Sequence, residues 1–342
     1  MKRFLKNKNK YIIVLFFIGL TIVSLLCVDK LLCIKSAHGI QQARDMYIQP
    51  KNSIDVVFMG SSHIHCDVNT AMLWEDYGIA AYDYSAAEQP LWITYYYLKE
   101  ICKYQSPKLV VLDLYSPAEF KEDYQYDFLL DNLLGVKFSF NKLQMLYASC
   151  EPEHYFDYFP NFATYHNRYP KSEDLEYLFK SKKDRASFKG YTPYFIECPQ
   201  TEPELVEDKS GGITIKSEQY LQKIIEFTQK NDIELYLIVS PYITKSEDEL
   251  VYNRIKEISV NYGLEFNSTN YSYDEMGLDF GTDFNDWSHL NYNGSCKYTQ
   301  YLGAQIKKNY DIPDRRGLKK WESWDRHVEE IEKAAEEYYL NK

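Results

Sequence analysis

The sequence predicts an α/β fold: a doubly wound, mainly parallel β-sheet with a helical insertion and an N-terminal transmembrane helix. Over most of the chain, short continuous apolar runs alternate with amphipathic stretches; a tyrosine-rich stretch interrupts this alternation, and an uncharged apolar run lies near the N-terminus. Continuous apolar runs suit parallel strands covered on both faces. Their alternation with helical segments is typical of βα units.

The first element is a transmembrane anchor at residues 11–28, preceded by a basic cytoplasmic tail at residues 1–10. The apolar run reads YIIVLFFIGLTIVSLLC, and five lysines or arginines and no acid precede it. A helix of this length is just able to cross a bilayer. Positive residues favour the cytoplasmic side, so we expect a single-pass protein of the cell membrane with an extracytoplasmic domain.

The anchor is expected to remain uncleaved. Leu25 and Leu26 stand before Cys27, where a signal-peptidase or lipoprotein site needs small residues. Residues 29–50 are polar and are predicted to form a juxtamembrane linker.

The α/β domain is predicted over residues 51–312, and a C-terminal helix over residues 313–342. A helical insertion at about 117–212 is expected to form a lid or recognition module over the sheet. The expected strands are Ile54–Met59, Ala80–Tyr84, Leu109–Leu114 and Ile233–Val239; the expected helices are Thr70–Tyr77, Leu91–Tyr104, Ser217–Lys230, Asp248–Tyr262 and Gly294–Lys308.

The charge excludes one class of function. The formal net charge is −11, and this value includes the five positive residues of the tail, so the rest of the chain carries −16. A domain with this much negative charge repels the phosphate backbone of nucleic acids. We therefore expect no nucleic-acid partner.

Two motifs carry the candidate chemistry. In FMGSSHIH, residues 58–65, a strand runs into a glycine and then a helix, which exposes Ser62 at the carboxyl end of the sheet, where open α/β sheets bind ligands. A serine nucleophile needs a base and a group that orients the base. In DWSHLNYNG, residues 286–294, Asp286 and His289 are spaced so that the carboxylate reaches the imidazole.

These motifs resemble those of the Ser-Gly-Asn-His (SGNH) hydrolase superfamily. The layout is similar to its membrane-anchored branch, which includes the D-alanyl transfer protein of teichoic acid operons and polysaccharide O-acetylation proteins. The resemblance covers roughly residues 51–310 without the insertion, and it matches Ser62 to the nucleophile and Asp286 and His289 to the D-x-x-H pair.

The resemblance implies a flavodoxin-like fold and a serine esterase or O-acyltransferase that acts on acyl groups of cell-envelope glycans through an acyl-serine intermediate, without a cofactor. The implied partners are an acyl donor or esterified glycan and an integral-membrane acyltransferase.

The chain departs from the family pattern at the oxyanion hole. Ser61 stands where the superfamily commonly has an aspartate, and neither the glycine of the second motif nor the asparagine of the third has a clean counterpart. The candidates for oxyanion or substrate contacts are Ser61, Ser85, Gln89 and backbone amides near them.

Two alternative functions stay open. His63, His65 and Asp67 form H-x-H-x-D after a strand, a pattern that metal-dependent hydrolases use, although residue 68 is valine where that pattern has a further histidine. A catalytically inactive protein of the same fold would instead bind or assemble other molecules at the cell surface.

Overall fold

The computed structural model of this chain describes residues 2–159, 171–204 and 212–342, with side chains from residue 10 onward. Within these ranges, five parallel strands form one sheet in the order β2-β1-β3-β4-β5. This is the order of a doubly wound, flavodoxin-like sheet, and the predicted fold class is confirmed. The strands are β1 (Val56–Met59), β2 (Ala81–Asp83), β3 (Leu109–Asp113), β4 (Glu234–Val239) and β5 (Phe266–Ser268).

The two faces of the sheet bury two separate apolar clusters, because successive side chains of a strand point to opposite faces. Val57 lies beside Val110, and both belong to the cluster under the helices Leu91–Ile101, Ile215–Lys230 and Ser246–Asn261. Phe58 and Val111 belong to the cluster under the helices Thr70–Tyr77 and Tyr292–Asn309. All five of these helices were predicted, with bounds that differ by a few residues at most.

β5 was not predicted. It has three residues and lies at the edge of the sheet, and all of its side chains are only half-buried. The sequence around it, LEFNST, lacks the continuous apolar run that marks the inner strands. An edge strand packs on fewer neighbours, so its sequence carries a weaker signal.

The chain begins with the helix Lys2–Leu32. Its segment Lys10–Leu32 is long and apolar enough to cross a membrane, with a mean hydropathy of 2.8, and none of it is buried in the protein. A membrane anchor and a signal sequence both meet this description.

Residues 33–50 belong to the folded domain, which corrects the prediction of a linker. They contain the helix Ile40–Asp45, and Ile40, Ala43 and Met46 are completely buried. Gly39 lies so close to Ala86 that a Cβ on the glycine would be 2.2 Å from the Ala86 Cα. The apolar residues recur every three positions and form one buried stripe, which the polar composition of this stretch obscured.

The region from about 117 to 212 contains short helices and an extended segment; its residues 160–170 and 205–211 lie outside the described ranges. Residues 191–200, which we call the strap, contain no helix or strand and run past the carboxyl end of β1. The N–H of Thr192 donates to the His65 carbonyl (2.6 Å), and the N–H of Cys198 donates to the Phe284 carbonyl (2.8 Å). The helices of the region are Ser116–Glu119, Leu129–Leu134, Phe140–Ser149, Tyr155–Tyr158, Ser172–Phe179 and Lys182–Ser187.

The C-terminal helix, Glu322–Leu340, packs on the domain. Trp324 and His327 are buried against the helix Thr70–Tyr77, and the Thr70 hydroxyl lies 2.9 Å from His327 Nε2. Further along the same helix, Tyr338 stacks on Phe195 of the strap, with ring centroids 4.8 Å apart. The C-terminal helix therefore fixes one side of the strap.

Candidate functional site

Ser62 lies at the carboxyl end of β1, as the first residue of the helix Ser62–Asp67. Gly60 makes the turn between them, and a Cβ on this glycine would lie 2.8 Å from the Asp113 Cβ at the end of β3. Only glycine fits there without displacing Asp113. The turn leaves Ser62 half-buried, between completely buried neighbours on both sides.

The loop before the helix Tyr292–Asn309 brings His289 and Asp286 to Ser62. His289 Nε2 lies 2.8 Å from Ser62 Oγ, and His289 Nδ1 lies 3.1 Å from one Asp286 carboxylate oxygen and 3.2 Å from the other. The three predicted residues thus form one hydrogen-bonded chain.

The charge of Asp286 determines which atoms donate and which accept in this chain of hydrogen bonds. Burial alone would raise the pKa of Asp286, but the hydrogen bond and charge of His289 and the N–H of Ser288 together hold that pKa far below its ordinary value. The ionised carboxylate only accepts hydrogen bonds, so Nδ1 of His289 carries the proton. Its Nε2 is left as an acceptor for the Ser62 hydroxyl.

The aspartate also shapes its own loop. Its Oδ1 accepts hydrogen bonds from the backbone N–H groups of Ser288 (2.8 Å) and His289 (2.9 Å), and Asn285 Nδ2 donates to its Oδ2 (3.0 Å). The carboxylate is therefore bound to the peptide groups that carry the histidine as well as to the imidazole.

A second contact ties this loop to the serine helix. Asp67, at the end of the helix Ser62–Asp67, accepts a hydrogen bond from the Leu290 N–H through Oδ1 (3.0 Å). Asp67 is completely buried, and burial raises its pKa well above the ordinary value. The Asp67 carboxyl thus joins the two segments that hold Ser62 and His289.

A chain of buried polar side chains lies beneath the imidazole of His289. His63 stacks on that ring, with centroids 5.1 Å apart and an interplanar angle of 25°. Its Nε2 lies 3.2 Å from Ser288 Oγ, its Nδ1 lies 3.2 Å from Ser61 Oγ, and Ser288 Oγ lies 3.3 Å from the Tyr115 hydroxyl. Burial lowers the pKa of His63 well below its ordinary value, so the ring under His289 is neutral.

The metal-site alternative finds no support in these contacts. His63 is bonded to two serine hydroxyls, Nδ1 of His65 lies 2.9 Å from Ser85 Oγ, and Asp67 binds the Leu290 N–H. Over the described ranges, histidine, cysteine and acidic side chains form no group of three or more that could hold a metal ion. The H-x-H-x-D pattern instead supplies buried contacts that support the site.

The three side chains predicted to contact an oxyanion are bonded elsewhere. Ser61 binds His63, Ser85 binds His65, and Gln89 Nε2 donates to Thr94 Oγ1 (2.9 Å). All three are buried, which argues against a side-chain oxyanion hole at these positions. The backbone N–H groups of Ser62 and His63, at the start of the Ser62–Asp67 helix, are the better candidates.

Two aromatic side chains near His289 were not singled out in the sequence. Tyr194 of the strap meets the His289 ring edge to face, with centroids 5.7 Å apart. Trp287 stands two residues before His289 in the same loop, and its carbonyl accepts a hydrogen bond from the Ile243 N–H (2.9 Å). Both side chains are partly exposed, so they are candidates for contacts with a substrate.

Comparisons with known proteins do not identify a family for this chain. No family model and no curated protein matches the chain. One solved structure, of a presumed acylhydrolase from Bacteroides fragilis, aligns with 80% of this chain and 99% of its own, at 13% identity and a TM-score of 0.40. An overlap this weak carries no argument about function.

Proposed function

We propose that this protein is a serine esterase or O-acyltransferase with Ser62 as nucleophile, His289 as general base and Asp286 as the residue that orients His289. The observation that supports it is the hydrogen-bonded chain Ser62–His289–Asp286 at the carboxyl end of β1. It has the geometry that serine hydrolases of unrelated folds share.

In the first half of the reaction, Ser62 Oγ attacks the carbonyl carbon of an ester or thioester while His289 Nε2 takes its proton. The negative oxygen that forms lies near the first-turn N–H groups of the serine helix, which stabilise it. His289 then returns the proton to the departing alcohol or thiol. The acyl group stays on Ser62.

In the second half, His289 takes a proton from the acceptor while the acceptor attacks the acyl-serine. His289 then returns this proton to Ser62 Oγ as the bond between serine and the acyl group breaks. Water as the acceptor gives an esterase, and a sugar or polyol hydroxyl gives an acyltransferase. The ionised Asp286 stabilises the imidazolium in both halves.

The proposed setting is the outer face of the cell membrane. The segment Lys10–Leu32 is predominantly apolar and none of it is buried in the protein, and the lysine-rich residues before it favour a cytoplasmic N-terminus. An anchored domain is suited to receive acyl groups from an integral-membrane partner and to act on cell-envelope glycans.

Labelling with a fluorophosphonate probe tests the nucleophile. The detergent-solubilised protein is expected to form a covalent adduct, and Ser62→Ala is expected to abolish it. His289→Ala should slow the labelling by roughly 10³-fold or more, because the hydroxyl loses its base.

Ser61→Ala is the matched control, since it removes the neighbouring hydroxyl and keeps the nucleophile. Labelling of this variant should persist, and mass spectrometry should place the adduct on Ser62. An adduct that survives Ser62→Ala would contradict the proposed nucleophile, and the absence of labelling in the unmodified protein would contradict the proposed activity.

A further inference from the structure

The insertion presents a group of apolar side chains to solvent. We call this group the exposed aromatic face: Phe138, Phe140, Leu143, Tyr147 and Phe156, whose exposed fractions are 68%, 75%, 38%, 72% and 81%. Tyr147 is in ring contact with Tyr155, with centroids 6.3 Å apart, so the face continues from one helix to the next. Contiguous apolar surface of this kind usually marks a contact with a partner or a membrane.

The helix Phe140–Ser149 is apolar on two sides. Met145 and Leu146 are buried in the main core, where this helix packs on the helix Leu91–Ile101. Residues 140, 143 and 147 recur at spacings of three and four and therefore lie together on one exposed stripe. A helix with a second apolar side needs a second apolar environment.

The part of this surface formed by residues 138–150 carries almost no charge. Those residues include Lys142 as their only charged residue, and its side chain is 5% exposed. Phe156, in contrast, stands beside the exposed acids Glu153 and Asp157. A neutral aromatic helix face is suited to the polar–apolar boundary of a bilayer, where aromatic rings are enriched.

The exposed aromatic face lies close to the point where the first helix ends. Leu32 and Cys33 pack with Leu134, at the end of the helix Leu129–Leu134, four residues before Phe138. Burial lowers the pKa of Lys142 to about 8, and Asp29, in the last turn of the first helix, acts on the same amine in the opposite direction. The helix Phe140–Ser149 is thus within electrostatic reach of the end of the anchor.

We propose that the exposed aromatic face lies in the headgroup region of the membrane and fixes the tilt of the domain on the bilayer. This inference rests on the proposed anchoring of the helix Lys10–Leu32. The anchor and the aromatic face then give two points of attachment. Two points orient a domain, whereas an anchor followed by a mobile tether would not.

Photolabelling of the full chain in phosphatidylcholine vesicles that contain a diazirine phosphatidylcholine tests this proposal. After irradiation and digestion, mass spectrometry is expected to find lipid adducts on peptides from residues 10–32 and from residues 138–156. The double variant Phe140→Glu, Tyr147→Glu should lower adduct formation in the second group by about fivefold or more, since burying a carboxylate among lipids is costly.

Val260→Glu is the matched control. Val260 is 70% exposed and lies on the helix Ser246–Asn261, which packs against β5. Its peptide should carry few adducts, and its substitution should change nothing at residues 138–156.

Three results would overturn the proposal. In the first, residues 10–32 carry adducts but residues 138–156 carry no more than the Val260 peptide. The domain would then be anchored, but its aromatic face would not contact lipid. Lipid adducts on residues 138–156 that are absent at high protein concentration and appear on dilution would assign the face to a second copy. Adducts in neither group would refute the anchoring itself, while fluorophosphonate labelling of Ser62 would still report on the proposed enzymatic activity.

Discussion

Among single residues, Asp67 makes the contact that most directly joins the two parts of the site. Its carboxyl accepts the Leu290 N–H and is buried together with it. The serine helix and the histidine loop are otherwise distant in sequence, so their relative position depends on contacts of this kind.

Asp67→Ala is therefore expected to lower the free energy of unfolding by about 1–3 kcal/mol, because a buried N–H loses its acceptor. It should also slow fluorophosphonate labelling of Ser62 by roughly tenfold, as His289 becomes less well positioned. Urea unfolding and the labelling rate, measured on the same preparation, test both effects.

Asp67→Asn retains a side-chain oxygen and serves as the control. Its labelling rate should stay close to that of the unmodified protein, because the amide oxygen can still accept the Leu290 N–H and burial raises the pKa of the carboxyl toward its neutral form. A large loss in Asp67→Asn as well would show that the charge of this residue matters, contrary to our interpretation.

The main residues of the site were predictable, whereas their supporting residues were not. Ser62, Asp286 and His289 stand in two short motifs whose spacing reflects the chemistry directly. Ser288 and Tyr115 contact each other across 173 positions of the chain, and no local pattern marks such a pair. His63 was noted in the sequence as part of H-x-H-x-D, but its contact with Ser288 depends on tertiary packing and was not predictable.

Among the elements, the strap is held on one side by the C-terminal helix. Phe195 stacks on Tyr338, and Tyr194 next to it contacts the His289 ring. The C-terminal helix thus helps to position an aromatic ring at the candidate site.

Tyr338→Ala is expected to loosen the strap with little effect on the sheet. Removing an aromatic pair costs about 1 kcal/mol beyond the loss of buried area, so hydrogen exchange at residues 191–200 should accelerate several-fold while β1 and β3 keep their protection. Tyr338→Phe, which keeps the ring, should exchange like the unmodified protein. Unchanged exchange in Tyr338→Ala would show that the backbone hydrogen bonds alone hold the strap.

The predictability of the elements follows their burial. The strands β1 to β4 are largely buried, have apolar runs and were predicted, whereas the half-buried edge strand β5 was not. Residues 33–50 read as polar linker because buried apolar residues such as Ile40, Ala43 and Met46 alternate there with polar residues, some of which are buried as well. The extended strap has no periodic pattern, and its hydrogen bonds go to loops far away in the chain.

For the whole molecule, buried carboxyl groups at the carboxyl end of the sheet make stability depend on pH. Burial raises the pKa of Asp113 to about 6, although the N–H groups of Ser240 and Tyr115 act against it. Burial also raises the pKa values of Asp67 and Asp83 well above the ordinary range. All three groups therefore favour the protonated form in the folded state.

Between the ordinary value of 3.8 and about 6, the folded protein keeps the Asp113 proton that the unfolded chain has lost. The folded state then binds more protons, so the free energy of unfolding falls as the pH rises through this range. For one group the slope is at most about 1.4 kcal/mol per pH unit.

Asp113→Asn cannot ionise and still offers an oxygen to the Ser240 N–H. Its free energy of unfolding, measured by urea titration of the detergent-solubilised protein at several pH values from 4 to 7, should fall less steeply with pH. A slope equal to that of the unmodified protein would show that Asp113 does not titrate in this range.

The distance along the chain between Ser62 and His289, 227 residues, has a consequence for biosynthesis. A growing polypeptide carries the nucleophilic hydroxyl long before the ribosome has added its proton acceptor. Until His289 has been added and has reached Ser62, that hydroxyl has only the low reactivity of an ordinary alcohol. The proposed chemistry therefore becomes available only after the loop that carries His289 has been synthesised and has folded against the serine helix.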